Sequence, residues 1–281
     1  MPGWFQGFCL CLAMCAACSS PPRTWVAFYG TDTPPELLQD YGVVVVDSAF
    51  LGNVAQLGRH KAKVLAYISL GELNAQRPQF EAARQKGLFL QENPTWKGAW
   101  MVDIRDERWH ALVLDELAPP LLARGFDGFF LDTVDSALNL EDRDPVKFAG
   151  MRKAAIQLLN KLHARYPAAR LLLNGALPIA GQLRGTVDWV AVESSVTTWN
   201  FETKTARWRT PDEKSWVKTR LQKAQTENPD LVVFTLDYWD PEDRAGLRAI
   251  YREQRAHGFV PYVATVALDR VVPEPAPPPE P

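Results

Sequence analysis

Asp132 and Glu193 each close a short apolar run, Phe129-Phe130-Leu131 before the first and Trp189-Val190-Ala191-Val192 before the second. If both runs are buried strands, each delivers a carboxyl group at a C-terminal strand end. Two carboxyl groups facing one cleft can work on a glycosidic bond: one protonates the departing oxygen while the other attacks or stabilises the anomeric carbon. The first run is approached through Gly125-Phe126-Asp127-Gly128 and continues as Thr133-Val134-Asp135-Ser136, which puts further polar groups beside Asp132. Taken singly, each acid has a plainer use, Asp132 as a helix N-cap and Glu193 as a solvated loop acid. The case for chemistry rests on several such strand ends occurring together.

The elements that must position these groups can be read along the chain. Eight short apolar runs follow one another: 25–30, 43–47, 64–70, 128–132, 170–174, 188–193, 231–237 and 259–264. Helical spacing fills most of the intervals, as in Trp109, Leu112, Val113 and Leu117, or Phe148, Met151, Ala155, Leu158, Leu159 and Leu162. Further helices are predicted over 211–227, opened by Thr210, Pro211, Asp212 and Glu213, and from 241 or 242 to His257 before Gly258. Apolar runs without strict alternation, separated by helices, indicate a parallel sheet covered on its outer face. Eight such units predict an α/β fold, a single-domain (β/α)8 barrel of the TIM type. Pro119-Pro120 is expected to kink or restart the helix after Leu117. The interval 71–106 is too long for a plain connection and predicts a helix near 79–86 and an extra strand at 99–103. With 197–209, which carries Trp199, Asn200, Phe201 and Trp208, it is expected to wall a cleft at the barrel mouth.

That register gathers Tyr29, Asp47, Glu72, Asp132, Asp135, Asn174, Glu193, Asp237 and Tyr238 at the mouth, an acidic rim on a chain of formal charge -2. Such a rim concentrates cationic or polyhydroxylated ligands, and like charges raise the pKa of the best-desolvated carboxyl. Asn174 and Tyr67 could solvate an ionised Asp132, which favours Asp132 as nucleophile and Glu193, flanked by Val192 and near Trp189, as general acid. A register slip of one residue would turn Glu193 away. Trp199, Phe201, Tyr238 or Trp239 offers a face for a pyranose ring. Clustered carboxylates could instead hold magnesium or calcium, and a chelator assay separates the two uses. No cofactor is implied, because there is no Gly-rich phosphate loop and no lysine placed for a Schiff base.

The first 22 residues lack Asp, Glu, Lys and Arg, and Trp4 to Ala17 is apolar but short for a span. This predicts an export signal over 1–18, a linker over 19–24, the barrel over 25–272 and a solvent-projecting Pro-rich tail over 273–281. All four cysteines lie in the leader, so the predicted mature domain has neither a disulfide framework nor a thiol nucleophile. Cys18, preceded by Ala16-Ala17, is a candidate lipidation site and hence a membrane attachment, although Cys15 departs from that pattern. The alternative, a CxxC metal or redox site, lacks further ligands. A monomer in the bacterial envelope or outside the cell is expected, and the absence of a long basic run argues against nucleic acid.

The strings Ala66-Tyr67-Ile68-Ser69-Leu70-Gly71-Glu72, Val102-Asp103-Ile104-Arg105-Asp106-Glu107-Arg108-Trp109 and Gly125 through Asp135 are similar to those of glycoside hydrolase family 114. The resemblance covers nearly all of Trp25 to Val272. It implies a barrel, no cofactor, and endo-acting cleavage of α-1,4-linked, partly deacetylated and therefore cationic galactosamine polymers of exopolysaccharides. It further implies that the acidic pair falls on Asp132 and Glu193, with Asp47, Glu72, Asp135 and Asp237 receiving the sugar amines. Three other readings stay open: a carbohydrate-binding barrel without turnover, a hydrolase of another polysaccharide, and an envelope scaffold. Release of reducing ends distinguishes the first, and a large apolar patch away from the mouth would mark the last.

Overall fold

The computed structural model describes residues 21–276 apart from Asp32 and residues 59–61. The predicted leader with Cys18, and residues 277–281, lie outside the described residues.

Eight parallel strands form a nearly closed barrel: β1 (Trp25–Phe28), β2 (Val43–Val46), β3 (Lys63–Ser69), β7 (Gly128–Asp132), β8 (Arg170–Asn174), β9 (Trp189–Glu193), β12 (Val232–Tyr238) and β13 (Val260–Ala264), paired in that order. β13 lies beside β1 at the seam. The Val-, Leu- and Phe-rich strands are buried on both faces because side chains fill the barrel and helices cover it. Trp25 occupies the interior, with its ring 5.4 Å from Phe234, 6.0 Å from Tyr262 and 6.4 Å from Phe130. Tyr67 stacks above this layer, 6.2 Å from Phe130. The aromatic plug makes the base of the barrel solid and leaves the polar strand ends to form a floor.

The outer layer is uneven. A 3-10 turn (Pro35–Leu37) and the short α1 (Val54–Leu57) cover the first two strands, whereas α6 (Met151–Arg165), α8 (Pro211–Glu227) and α9 (Arg244–Ala256) are long. Thr210 starts α8 with a reciprocal capping box to Glu213, as its sequence predicts. α3 (Glu107–Ala111) runs into a π-helical stretch (Leu112–Leu117), after which α4 (Ala118–Ala123) starts with the prolines in its first turn, so the expected restart after Leu117 occurs without a break in the chain's helical path. The wider turn accommodates the prolines by bonding Ala118 N–H to the Val113 carbonyl. In that register the Leu114 carbonyl would need an N–H from Pro119, which has none; Tyr166 supplies its hydroxyl instead, at 2.5 Å.

Two insertions rise from the C-terminal face. The first is a three-stranded antiparallel sheet of β4 (Glu72–Asn74), β5 (Phe89–Glu92) and β6 (Ala99–Val102), with α2 (Phe80–Gln85) between β4 and β5. The helix and β6 are the expected elements; β4 and β5 were not foreseen. The second is the hairpin β10 (Thr197–Asn200) and β11 (Thr205–Trp208). α5 (Val134–Arg143) follows β7 immediately, and the small α7 (Leu177–Ala180) follows β8. The start of the Pro-rich tail packs rather than projecting: Glu274 pairs with Arg255 of α9, and Pro275 is buried.

Candidate active site

Three consecutive barrel strands end on the central side chains: Asp132 on β7, Asn174 on β8 and Glu193 on β9. Directly after each, the chain passes through left-handed backbone, at Thr133 (φ 61), at Gly175 and Ala176 (φ 64 and 49), and at Ser194 (φ 54). Such conformations cost about 1–3 kcal/mol in a non-glycine residue and gather at functional sites. Thr133 is held by several bonds. Its hydroxyl lies 2.7 Å from Ser69 Oγ and accepts Gly71 N–H at 2.9 Å, while the Asp132 carbonyl accepts Leu70 N–H at 2.9 Å. A Cβ at Gly71 would collide with the Thr133 carbonyl, so only glycine permits this approach.

The two acids share one amide. Asn174 Nδ2 donates to Asp132 Oδ1 and to Glu193 Oε1, each at 2.8 Å. Two oxygens each 2.8 Å from one nitrogen lie no more than about 5.6 Å apart, so the facing oxygens of the two carboxylates are close enough for a nucleophile and an acid/base that flank one glycosidic bond. Tyr67 donates to Asp132 Oδ2 at 2.8 Å and Tyr238 to Glu193 Oε2 at 2.6 Å, so each carboxylate has a phenol of its own. Glu193 lies on the floor of an open cleft with protein on its other sides. Burial, then the charge of Asp132, push its pKa up, against the lowering effect of Tyr238 and Asn174. Burial, and for Tyr67 and Tyr238 the adjoining carboxylate, hold both phenols well above their ordinary pKa, so they remain neutral donors. Tyr29 is raised in the same way, and its ring sits edge-on to Tyr67 at 5.2 Å.

Asp135, on the first turn of α5, has no side-chain hydrogen-bond partner among the described residues; burial, then the charge of Asp132, push it up to about 6. The other acids expected to greet sugar amines are engaged by protein. Asp47 takes a two-pronged ion pair from Arg77, at 2.7 and 2.9 Å. Burial acts to raise its pKa, but the Arg77 and Ala49 hydrogen bonds outweigh it and hold the carboxyl below its usual value. Glu72 is buried, with Oε1 accepting from Asn93 at 2.8 Å and Ser136 at 2.6 Å.

Asp237 is a correction. It is fully buried and points out of the barrel, because Tyr238, the next residue, points in and neighbouring strand positions alternate. Its carboxylate accepts Val196 N–H at 3.0 Å, Thr197 N–H at 2.9 Å and Thr197 Oγ1 at 3.0 Å, which ties down the base of the β10–β11 hairpin. Gln254 of α9 closes it at 2.5 Å. Tyr238 is buried with its hydroxyl on Glu193, and Trp239 donates to Asp243 at 2.9 Å while packing on Trp208. Trp199 is half-buried against the core, whereas the rings of Phe201, 53% exposed, and Trp96, 56% exposed, meet at right angles 5.2 Å apart across the two insertions. Sequence reasoning missed Arg77, Asn93, Trp96, Thr133 and Ser136. Only the Thr133-Val134-Asp135-Ser136 string, quoted for its polarity, hinted at two of them.

Among the described residues, no group of three or more His, Cys, Asp or Glu is arranged to hold a metal ion, and no helix is long and apolar enough to cross a membrane.

The fold has counterparts in known proteins. The glycoside hydrolase domain of PelA from Pseudomonas aeruginosa superposes with a TM-score of 0.79 at 27% identity, covering 89% of this chain and 97% of that domain. Ega3 from Aspergillus fumigatus, solved in complex with galactosamine, shares the fold with a TM-score of 0.63 at 18% identity, over 90% of this chain and 96% of that one. An uncharacterised protein of Deinococcus radiodurans is 25% identical over 213 residues, which are 74% of this chain and 66% of that protein. The sequence model of glycoside hydrolase family GH114 matches residues 12–276, and the chain belongs to that family.

Proposed function

We propose that this protein is an endo-acting hydrolase of α-1,4-linked, at least partly deacetylated galactosamine polymer, with Asp132 as nucleophile and Glu193 as general acid and base. The observation that carries the reading is the Asn174 amide spanning both carboxylates, which favours the short separation of a retaining glycosidase. In that mechanism Asp132, steadied by Tyr67 and Asn174, attacks the anomeric carbon while Glu193 gives its proton to the leaving oxygen. A water then enters, Glu193 takes a proton from it as its oxygen bonds to the anomeric carbon, and the bond to Asp132 breaks, freeing its carboxylate. The raised pKa of Glu193 suits the first step, and the departure of the leaving group with that proton leaves Glu193 ionised for the second.

The choice of an aminosugar rests chiefly on Asp135, because Asp47, Glu72 and Asp237 already have partners and Asp132 and Glu193 are tied to Tyr67, Tyr238 and Asn174. An ammonium group beside Asp135 would lower its pKa and gain a partly desolvated ion pair, which is worth more than an exposed one. The galactosamine bound by Ega3 supports the same ligand class by likeness of fold. A polymer met outside the cell fits the predicted leader, and mass analysis of the mature N-terminus tests whether Cys18 is its lipid-bearing end.

The test is release of reducing ends from polygalactosamine, chitosan and neutral galactan by wild type and by Asp132→Asn. Cleavage of polygalactosamine that is lost in the variant is expected. Equal cleavage of galactan would remove the amine argument and leave a more general glycosidase.

A further inference from the structure

A cavity of about 180 Å³ opens beside the mouth, between the β5–β6 turn and the exposed face of α5. Trp96, Met101, Ser136, Asn139, Leu140 and Arg143 line it, and it begins one residue past Asp135. Asp135, Asn139 and Arg143 are spaced four residues apart on α5, so the cavity leads about 12 Å along that helix away from the carboxyl pair, at 1.5 Å per residue.

Its chemistry is opposite to that of the mouth. No carboxylate lines it, and Arg143 has no ion-pair or hydrogen-bond partner among the described residues, although acids flank it in sequence. Those acids are spent elsewhere: Asp142 on Arg152, Asp144 on the Val146 and Lys147 N–H groups, and Glu141 on the Gly150 and Arg152 N–H groups. Trp96, more than half exposed, stands on a turn that cannot drift. Asn93 Oδ1 accepts Thr95 and Trp96 N–H at 2.8 and 3.1 Å, and Asn93 Nδ2 is pinned to Glu72, itself held by Ser136 of α5. Glu72 is thus a positioning residue for an aromatic platform rather than a receiver of amines.

We propose that this cavity is a distal sugar subsite that selects an N-acetylated hexosamine, so that the enzyme reads a pattern of charged and uncharged sugars along one polymer. The inference rests on the hydrolase reading above and deepens it. Trp96 offers its face to the pyranose ring, as exposed indoles do for apolar sugar faces. Arg143 and Asn139 carry donors for the acetamido oxygen, and Met101 and Leu140 give apolar surface for its methyl group. A free amine would enter as a cation against Arg143, and like charges at about 4 Å in water repel by an amount worth roughly fivefold in binding. The acidic mouth has the reverse preference.

The experiment compares fully deacetylated with partly re-acetylated polygalactosamine as substrates for wild type, Arg143→Glu, Arg143→Gln and Trp96→Ala. Wild type is expected to favour the partly acetylated polymer, with N-acetyl groups at a fixed distance from the new chain ends by tandem mass spectrometry. Arg143→Glu should lower the ratio of kcat/KM values at least fivefold, Arg143→Gln by less, and Trp96→Ala should weaken both substrates together. An unchanged ratio in Arg143→Glu, or randomly placed acetyl groups in the products, overturns the subsite. Titrating the tryptophan fluorescence of Glu193→Gln, with and without Arg143→Glu, with both polymers reads the subsite without turnover. If wild type cuts neither polymer while this binding preference still shifts with Arg143, the hydrolase reading falls and the subsite stands.

Discussion

Replacing Tyr238 by Phe removes one oxygen from the floor of the cleft and little else. The phenol lies 2.6 Å from Glu193 Oε2 and stabilises the ionised carboxylate. A hydrogen bond to a charged group contributes about 1.5–3 kcal/mol, so its loss raises the pKa of Glu193 further. Cleft water replaces part of the bond, so the rise reflects only part of that energy. The sign follows from the role. A general acid works while protonated, so activity is lost as pH rises through its pKa; raising that pKa moves the alkaline limb of the kcat/KM profile to higher pH. Tyr67→Phe withdraws the equivalent bond, 2.8 Å long, from Asp132, which must be ionised to attack. That variant should instead lower kcat with the alkaline limb unmoved. Because Asn174 couples the acids, each limb reports the pair, and it is the contrast between the variants that assigns the roles. The assay is kcat and kcat/KM for polygalactosamine against pH in wild type and both variants. If Tyr67→Phe moves the alkaline limb and Tyr238→Phe does not, the two roles are reversed; if neither variant moves it, the reasoning from hydrogen bonds to chemistry is refuted.

Three other outcomes follow from particular contacts. Asp237→Ala leaves buried donors at Val196, Thr197 and Gln254 without an acceptor and should cost about 3–5 kcal/mol in denaturant unfolding, with KM unchanged in the protein that remains folded; a raised KM at full stability would return Asp237 to the substrate. Asp135 has a folded pKa of about 6, above its ordinary value of 3.8, so the native state holds the extra proton and stability falls as pH rises between these values. Asp135→Asn should therefore raise Tm at pH 7 and leave it unchanged at pH 4, and an equal gain at both would show that its charge is not strained. Tyr166→Phe strips the Leu114 carbonyl of its only substitute donor at the π-helical stretch and should cost about 1–2 kcal/mol by denaturant unfolding with activity intact; no change would mean that water satisfies that carbonyl.

Much of this arrangement was legible because barrel strands advertise themselves. Runs such as Val43 to Val46 and Gly128 to Asp132 are too apolar and too short to be other than buried strands between helices, and their ends located Asp132, Asn174 and Glu193. What sequence could not supply was partnership over distance. Nothing local to Asp47 announces Arg77, which arrives from an insertion thirty residues later, and nothing near Glu72 announces Ser136. Neither can adjacent residues of one strand both face the axis, so Asp237 and Tyr238 could not both belong to the mouth. The fact that Tyr238 is inward is decided by its bond to Glu193 and by Gln254 waiting outside for Asp237. β4 and β5 escaped because short antiparallel strands in an insertion carry half-exposed, mixed sequences such as Phe89-Leu90-Gln91-Glu92. α5 begins so soon after Asp132 that its first turn reads as part of the strand end.

The pairing of Asp132 with Glu193 across one amide is tested most directly by the configuration of the first product. Proton NMR of an α-1,4-linked galactosamine oligomer, recorded within the first minutes of hydrolysis and before mutarotation, should show the α-anomer of the new reducing end, as expected when the facing oxygens of both acids meet one amide. Initial appearance of the β-anomer would contradict the account, since inversion requires a water held between more widely separated carboxyl groups.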